Sequence, residues 1–400
     1  MLHNHQLKHF AQAASQIDES PIMVVDVSIL QDQCRVFREL FPDITLTYAL
    51  KCFPDAAVVA AIEDLVDGYD VASVKEIEML LGAGVKPGQL SYSNPVKQDI
   101  AIQQAFTLGV LRFAYQSEAE LAKIAQNAPG SSVYLRLDVS SAKGSLDFSS
   151  KFGADYNDAV DLLVKAKELD LTVLGVTFHV GSQAQDIAAW KAAIARAAEV
   201  MRRTKAVGLT QTELNIGGGF PVIYKPGDLS INDLAMAVNA ELAQLKQEFP
   251  EIQRIIAEPG RFLTADCAAI VATIIGKETR GGKPWLYLDT GTFQSFIEIF
   301  EFNDFMYPVY SMKHIGVDSS ETQEYALTGP TCDSYDTMTG SIELPAGLEV
   351  GDQLLISMTG AYTLAYGSPF NGFALPRVVF IEASPVSPAR PVKTAVKAGE

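Results

Sequence analysis

Five polar residues interrupt otherwise apolar runs: Lys51 in "TYALKCF" (47–53), Asp70 in "GYDVAS" (68–73), Arg136 in "VYLRLDV" (133–139), His179 in "GVTFHVG" (175–181) and Glu258 in "RIIAEPG" (254–260). Side chains of a strand alternate between two faces. Leu46, Tyr48 and Leu50 form one bulky set, which leaves Thr45, Thr47, Ala49 and Lys51 on the other face. Val133, Leu135 and Leu137 likewise oppose Tyr134, Arg136 and Asp138. Val176, Phe178 and Val180 oppose Thr177 and His179, and Ile255 and Ala257 oppose Arg254 and Glu258. Asp70 points the same way by a weaker alternation. A lone inward lysine also reads as a satisfied ion pair, and a lone histidine as a hydrogen-bonded core residue. Five converging groups are different, because each unpaired interior charge costs several kcal/mol, by a rough estimate.

A desolvated lysine beside other cations is a free-amine nucleophile that forms Schiff bases with carbonyl compounds. Two glycine turns indicate what it holds. "GGGF" (217–220) and "EPGR" (258–261) follow two consecutive strand-like runs, and bare backbone N–H groups there, at Gly218, Gly219 and Gly260, approach phosphate oxygens. Three glycines alone are more often a plain turn; their position beside a second glycine loop is what favours an anion site. Lysine, phosphate site and inward carboxylate together specify pyridoxal 5′-phosphate, with Glu258 on the pyridine nitrogen and His179 against one face of the ring.

The elements that must position these residues form a regular series. Strand-like runs fall at 45–52, 68–73, 90–94, 112–117, 133–139, 175–181, 212–219 and 254–260, separated by helical periodicity such as "AAWKAAIARAAEVMRRT" (188–204). Eight successive βα units predict an α/β fold, a (β/α)8 barrel over residues 27–260, with its active site at the C-terminal ends of the strands. From residue 261 the helices give way to strand-and-turn patterns: "PWLYLD" (284–289), "EYALTGP" (324–330), "DQLLISM" (352–358) and "RVVFIEA" (377–383). Residues 1–26, with "PIMVVD" (21–26), and 261–382 are expected to build a second, mostly β domain. Residues 383–400, rich in Pro and Lys, read as a disordered tail. The N-terminal segment with His3, His5 and His9 reads as solvated rather than metal-binding, and no metal site is expected.

Composition narrows the function. The formal charge of −17 disfavours nucleic acid and anionic membranes and favours small cationic substrates. Four cysteines without paired spacing suit a reducing cytoplasm, and the longest apolar run, "FLTADCAAIVATIIG" (262–276), is too short to span a bilayer. No export signal is evident, so a cytoplasmic enzyme is expected.

Over nearly its whole length the chain resembles the ornithine/lysine/arginine decarboxylases of the alanine-racemase-like fold. The resemblance rests on "YALKC" (48–52), "YDVAS" (69–73), "KFGA" (151–154), "FHVGS" (178–182), "NIGGGFP" (215–221), "AEPGRF" (257–262), "GPTCDSYD" (329–336) and "GAYTLAYGSPFNGF" (360–373). It implies that Lys51 is the Schiff-base lysine, that His179 stacks on the ring and that Glu258 pairs with its nitrogen. Arg136 would lie near the ring hydroxyl, with Asp70 and Glu76 supporting Lys51. Ser182, Gly219, Gly260, Arg261 and Tyr362 would bind phosphate. It further implies a head-to-tail homodimer in which Cys332 of one subunit protonates the substrate carbon in the other's site and Asp333 meets the distal amine. Phe370 and Asn371 would line that region, and Lys151 and Asp336 would bridge the subunits. One departure stands out: where the ornithine enzymes carry Tyr–Asp, this chain aligns Phe300–Glu301, which leaves ornithine, lysine and arginine open as substrates. A racemase needs bases on both ring faces, and diaminopimelate decarboxylases carry a Cys-Glu-Ser-Gly-Asp pattern, so both fit "CDSYD" less well. A non-catalytic regulatory relative would be expected to have lost residues that are present here.

Overall fold

Alternating apolar strands and amphipathic helices bury both faces of a sheet when the sheet closes on itself, and this chain does so. The computed structural model describes residues 4–139, 151–301, 305–317 and 321–381. Strand β1 (Ile22–Val25) precedes eight barrel strands: β2 (Ile44–Ala49), β3 (Gly68–Val71), β4 (Leu90–Tyr92), β5 (Arg112–Tyr115), β6 (Ser132–Arg136), β7 (Thr172–Thr177), β8 (Glu213–Asn215) and β9 (Arg254–Ala257). They pair in parallel and in chain order, and β9 closes onto β2.

Local chemistry fixes where the barrel helices begin. Ser73, Ser117, Asp186 and Ser230 each accept a hydrogen bond from a first-turn N–H of the helices Val74–Gly82, Glu118–Asn127, Ile187–Ala206 and Ile231–Glu248. The longest of these buries Trp190, Ala193, Ile194, Ala197 and Met201, a helical stripe facing the strands. The outward strand residues join this large core, whereas Tyr134, Leu174 and Ile256 form a small separate cluster inside the barrel. Below them Glu213 is shared by Arg112 and Arg254, and charge closes the N-terminal end of the barrel.

The second sheet contains β10 (Ala268–Arg280), β11 (Lys283–Leu288), β12 (Val309–Ser311), β13 (Thr322–Thr328), β14 (Thr337–Pro345), β15 (Gln353–Ser357) and β16 (Arg377–Phe380). Its main order is β12-β15-β10-β11-β13-β14; β1 lies between β10 and β16. Short helical turns at Arg261–Thr264, Thr292–Phe296, Ile297–Phe300 and Thr363–Tyr366 interrupt what the sequence pattern presents as strands and turns alone.

The N-terminal segment is not the solvated stretch expected. It forms a helix, Asn4–Ala14, that buries Leu7, Phe10 and Ala14, and His9 Nε2 lies 3.6 Å from Asp26. The reason is its apolar 3–4 spacing, which the histidines obscure. Among the described residues no helix is long and apolar enough to cross a membrane. The tail expected at 383–400 lies outside the described residues.

Candidate active site

Strand register builds the site in layers. Arg136, Thr177, Asn215 and Ile256 are successive partners across β6 to β9, so they stand at one height in the barrel. Two residues further along three of these strands come His179, Gly217 and Glu258, one pleat higher on the same inward face. Across the barrel Ala49 pairs with Asp70, and Lys51 lies two residues beyond Ala49. Here the structure corrects the sequence reading in one respect. Lys51, His179 and Glu258 sit just past the ends of their strands, Lys51 on the single turn Leu50–Cys52. That turn lifts the lysine to the rim, where its side chain is 45% exposed rather than desolvated.

The cleft at this rim is lined by Ala49, Lys51, His179, Ser182, Gly218, Gly219, Glu258, Gly260, Arg261 and Tyr362. Lys51 Nζ is 3.6 Å from Asp70 Oδ2, and the other oxygen of Asp70 is buried with no hydrogen-bond partner among the described residues. Glu76 braces the same corner, its Oε2 accepting from Ala72 N at 2.5 Å. Burial, then the neighbouring Asp70, pushes the Glu258 carboxyl up to about 7. Burial, then Arg136 and Lys51, holds His179 well below the usual imidazole range, so its ring is neutral. Gly181 N donates to His179 Nδ1 at 3.0 Å, which assigns the ring proton to Nε2. Burial also lowers Arg136, against the pull of Glu258 and Asp70.

The glycines are where backbone must come close. A Cβ on Gly218 would stand 2.7 Å from Glu258 O and 3.2 Å from His179 Nε2. On Gly219, at φ +101°, it would meet Gly181 O at 2.2 Å. Opposite them Tyr362 adopts a left-handed φ of +58°, and its N–H donates to Cys52 O at 3.0 Å. This bond ties a loop of the second sheet to the lysine turn.

Two groups were missed at the sequence level. Asn215 Nδ2 donates to Glu258 Oε1 at 2.5 Å while its Oδ1 accepts from Gly217 N, so one amide sets both the carboxylate and the glycine turn. The alternation used for the other strands also turns Asn215 inward. Glu298 forms a buried ion pair with Arg261, joined by Tyr224 and Tyr307. It rides on an irregular turn whose periodicity carries no signal.

The remaining expected residues lie elsewhere in the chain. Cys332 is exposed, with its Sγ and N each 3.3 Å from Asn371 Oδ1. Phe370 packs on Phe293, and Phe300 packs edge-on against Tyr335. On this face Asp333 and Phe293 are half-buried and Glu301, Phe300, Tyr335 and Phe370 are exposed, and none of them lines the cleft. Beneath it Asp336 is fully buried, accepting from Thr292 N, Thr292 Oγ1 and Thr331 N, and Lys151 lies over the Phe152 ring.

An amine, a neutral imidazole and a buried carboxylate beside a glycine-lined anion cleft, all at the mouth of a βα barrel, define an enzyme that works through a phosphorylated pyridine aldehyde. The bare glycine backbone, the Asp70 oxygen without a partner among the described residues and the buried Glu258 carboxyl fit that group. The model of the pyridoxal-dependent decarboxylase family's pyridoxal-binding domain matches residues 27–265. A lysine/ornithine decarboxylase of Selenomonas ruminantium is 32% identical over 372 residues, covering 93% of this chain and 92% of that protein. The crystal structure of a Vibrio vulnificus lysine/ornithine decarboxylase with putrescine superposes with a TM-score of 0.84 at 31% identity, over 93% of this chain and 97% of the other. The arginine decarboxylase of Paramecium bursaria Chlorella virus gives 0.86 at 29%, over 95% and 100%. The chain belongs to the pyridoxal-dependent decarboxylases and is a pyridoxal phosphate-dependent amino-acid decarboxylase.

Proposed function

We propose that the chain decarboxylates a basic L-amino acid, L-ornithine to putrescine in first place and L-lysine to cadaverine in second, as a step of polyamine synthesis in the cytoplasm. The observation that carries the reading is the meeting of Lys51, His179 and Glu258 in one cleft with Asp70 3.6 Å from the lysine nitrogen. The relatives' named activities on lysine, ornithine and arginine support the substrate class, and so does the net charge of −17.

Pyridoxal phosphate, when bound, supplies the sink for the electron pair that departing CO2 leaves behind. Lys51 would hold it through its side-chain amine, and Asp70, 3.6 Å from that nitrogen, would balance the amine's charge. Glu258, fixed by Asn215, would hold the ring nitrogen and favour its protonated form. His179, neutral, would pack on the ring without adding a competing charge. Ser182, Gly219, Gly260, Arg261 and Tyr362 would hold the phosphate. The exposed face with Cys332, Asp333 and Phe370 completes the cleft of a second subunit in a head-to-tail homodimer. There Cys332 of the partner subunit returns a proton to the substrate carbon, giving a diamine and CO2. Phe300 and Glu301 border the distal amine.

Comparing kcat/KM for L-ornithine, L-lysine and L-arginine by CO2 release tests the order; a clear preference for arginine would reverse it. Arginine is the second reading, because Glu301 offers a planar guanidinium two oxygens. Lys51→Ala should leave protein that no longer takes up the yellow cofactor absorbance and releases no CO2. Retention of both would refute the role given to Lys51.

A further inference from the structure

The interior of the barrel is packed on one side only. Inward Tyr134 and Ile256, on β6 and β9, join Leu174 in the small cluster that fills that side. The inward positions of β2, β3 and β4 are small instead: Thr47, Gly68 and Ser91. Gly68 has no room to be larger, because a Cβ there would stand 2.6 Å from Gln89 O. Between the two sides runs a shaft of about 40 Å³, lined by Thr47, Gly68, Ser91, Tyr134, Asn215 and Glu258 among others. The charge that closes the N-terminal end of the barrel leaves this one passage, beside exposed Asp67, Gly88 and Arg254. At its upper end the shaft stops at Glu258, the one described residue that lines both the shaft and the cleft.

A cofactor seated in the cleft covers Glu258 from above, the side from which solvent would otherwise reach it. Yet this carboxyl, pushed up to about 7, gains and loses its proton in the neutral range and needs contact with water to do so. On the cleft side it stands near Asp70, Lys51, Arg136 and His179. On the shaft side it meets Asn215 and, lower down, Tyr134 with Arg112, Arg254 and Glu213. The dimensions suit water. At about 10–15 Å³ each, about three waters fit the shaft. Three in file make links of about 2.8 Å that span roughly 11 Å. The rise along β9 from Arg254 to Glu258 is roughly 13 Å. Ser93 Oγ donates to Ser91 Oγ at 3.4 Å, which leaves the Ser91 O–H to donate to a water.

We propose that the shaft is a second entrance to the site, for protons alone: a file of waters, steadied by Thr47 and Ser91, that exchanges the Glu258 proton through the N-terminal end of the barrel. The proposal rests on Glu258 meeting the cofactor's ring nitrogen, as proposed above. A proton leaving the carboxyl passes to the first water, and a different proton leaves the last water for bulk solvent beside Gly88. The reverse sequence reloads the carboxyl. The proton shared by Glu258 and the ring nitrogen then follows the outside pH while the cleft stays occupied, and the cofactor need not leave.

Two measurements on the holoenzyme test this. High-resolution crystals should show ordered waters between Ser91, Tyr134 and Glu258; a shaft closed by side chains, or dry, overturns the proposal. With nitrogen-15-labelled pyridoxal phosphate bound, proton NMR reads the exchange of the ring-nitrogen proton with solvent. Ser91→Val fills the shaft and should slow that exchange roughly tenfold or more, whereas Ser91→Ala keeps the space and should exchange like the wild type. Wild-type exchange in Ser91→Val overturns the proposal. Should Ser91→Val fail to fold, the ordered waters decide alone. A ring-nitrogen signal that Glu258→Gln leaves unchanged would refute the contact between Glu258 and the cofactor instead, and the water file would then stand or fall by the crystals.

Discussion

Glu258 and His179 sit in the same layer and are shifted in opposite senses. Glu258 is pushed up to about 7, chiefly by burial. Folded protein without cofactor therefore keeps a proton that the unfolded chain loses near about 4.3, and this contribution to stability is lost as pH rises through about 7. His179, held low by burial, does the reverse: the unfolded chain takes up a proton below about 6.5 and the folded one does not, so stability falls as pH drops below that value. Between about 4.5 and about 6.5 the two slopes oppose each other. In cofactor-free Glu258→Gln, urea unfolding free energy should therefore climb more steeply with pH across that interval than in the wild type, by up to roughly 1.4 kcal/mol per pH unit. Parallel slopes in the two proteins would contradict the assignment. One pleat lower, Asn215→Ala removes the 2.5 Å bond to Glu258. It should lower kcat by roughly tenfold or more with little change in KM, because Asn215 touches the carboxylate and not the substrate.

At the scale of elements, the turns after β7 and β8 are built on backbone that excludes side chains. Gly219→Ala places a Cβ 2.2 Å from Gly181 O on a left-handed backbone. The variant should lose about 2 kcal/mol or more of stability, together with cofactor binding. Gly84→Ala is the control: its φ of +95° is equally left-handed, but nothing lies within 4 Å. It should cost about 1 kcal/mol and leave cofactor uptake intact. Thermal melts and absorbance titrations distinguish the two. The same elements show what a sequence reader can and cannot see. Period-two alternation carries the inward set from Arg136 to Glu258, because a packed wall forces bulky residues outward. It says nothing about where a strand stops, so Lys51 was read into β2 although the chain had already turned at Leu50. Glu298 was invisible for a related reason: the segment Thr292–Phe300 coils irregularly, and only three-dimensional packing brings it onto Arg261.

At the scale of the molecule, the cleft and the Cys332 face are separate regions of one chain, as an arrangement in which two copies complete each other requires. Lys51→Ala and Cys332→Ala should each be nearly inactive as homodimers. Mixed and allowed to exchange subunits, they should recover about a quarter of wild-type turnover, since half the dimers are hybrids with one intact site. No recovery on mixing, with exchange verified by mass, would place Cys332 in its own subunit's cleft or outside the reaction.

Strand β1 lies between β10 and β16, so three stretches of chain separated by the whole barrel and by much of the second sheet meet side by side. A ribosome releases the barrel segment as one continuous piece, able to close while the β1 strand waits without neighbours. Its last partner emerges only with Arg377–Phe380. Nascent chains stalled before that final strand should therefore leave one edge of β1 open to chaperones.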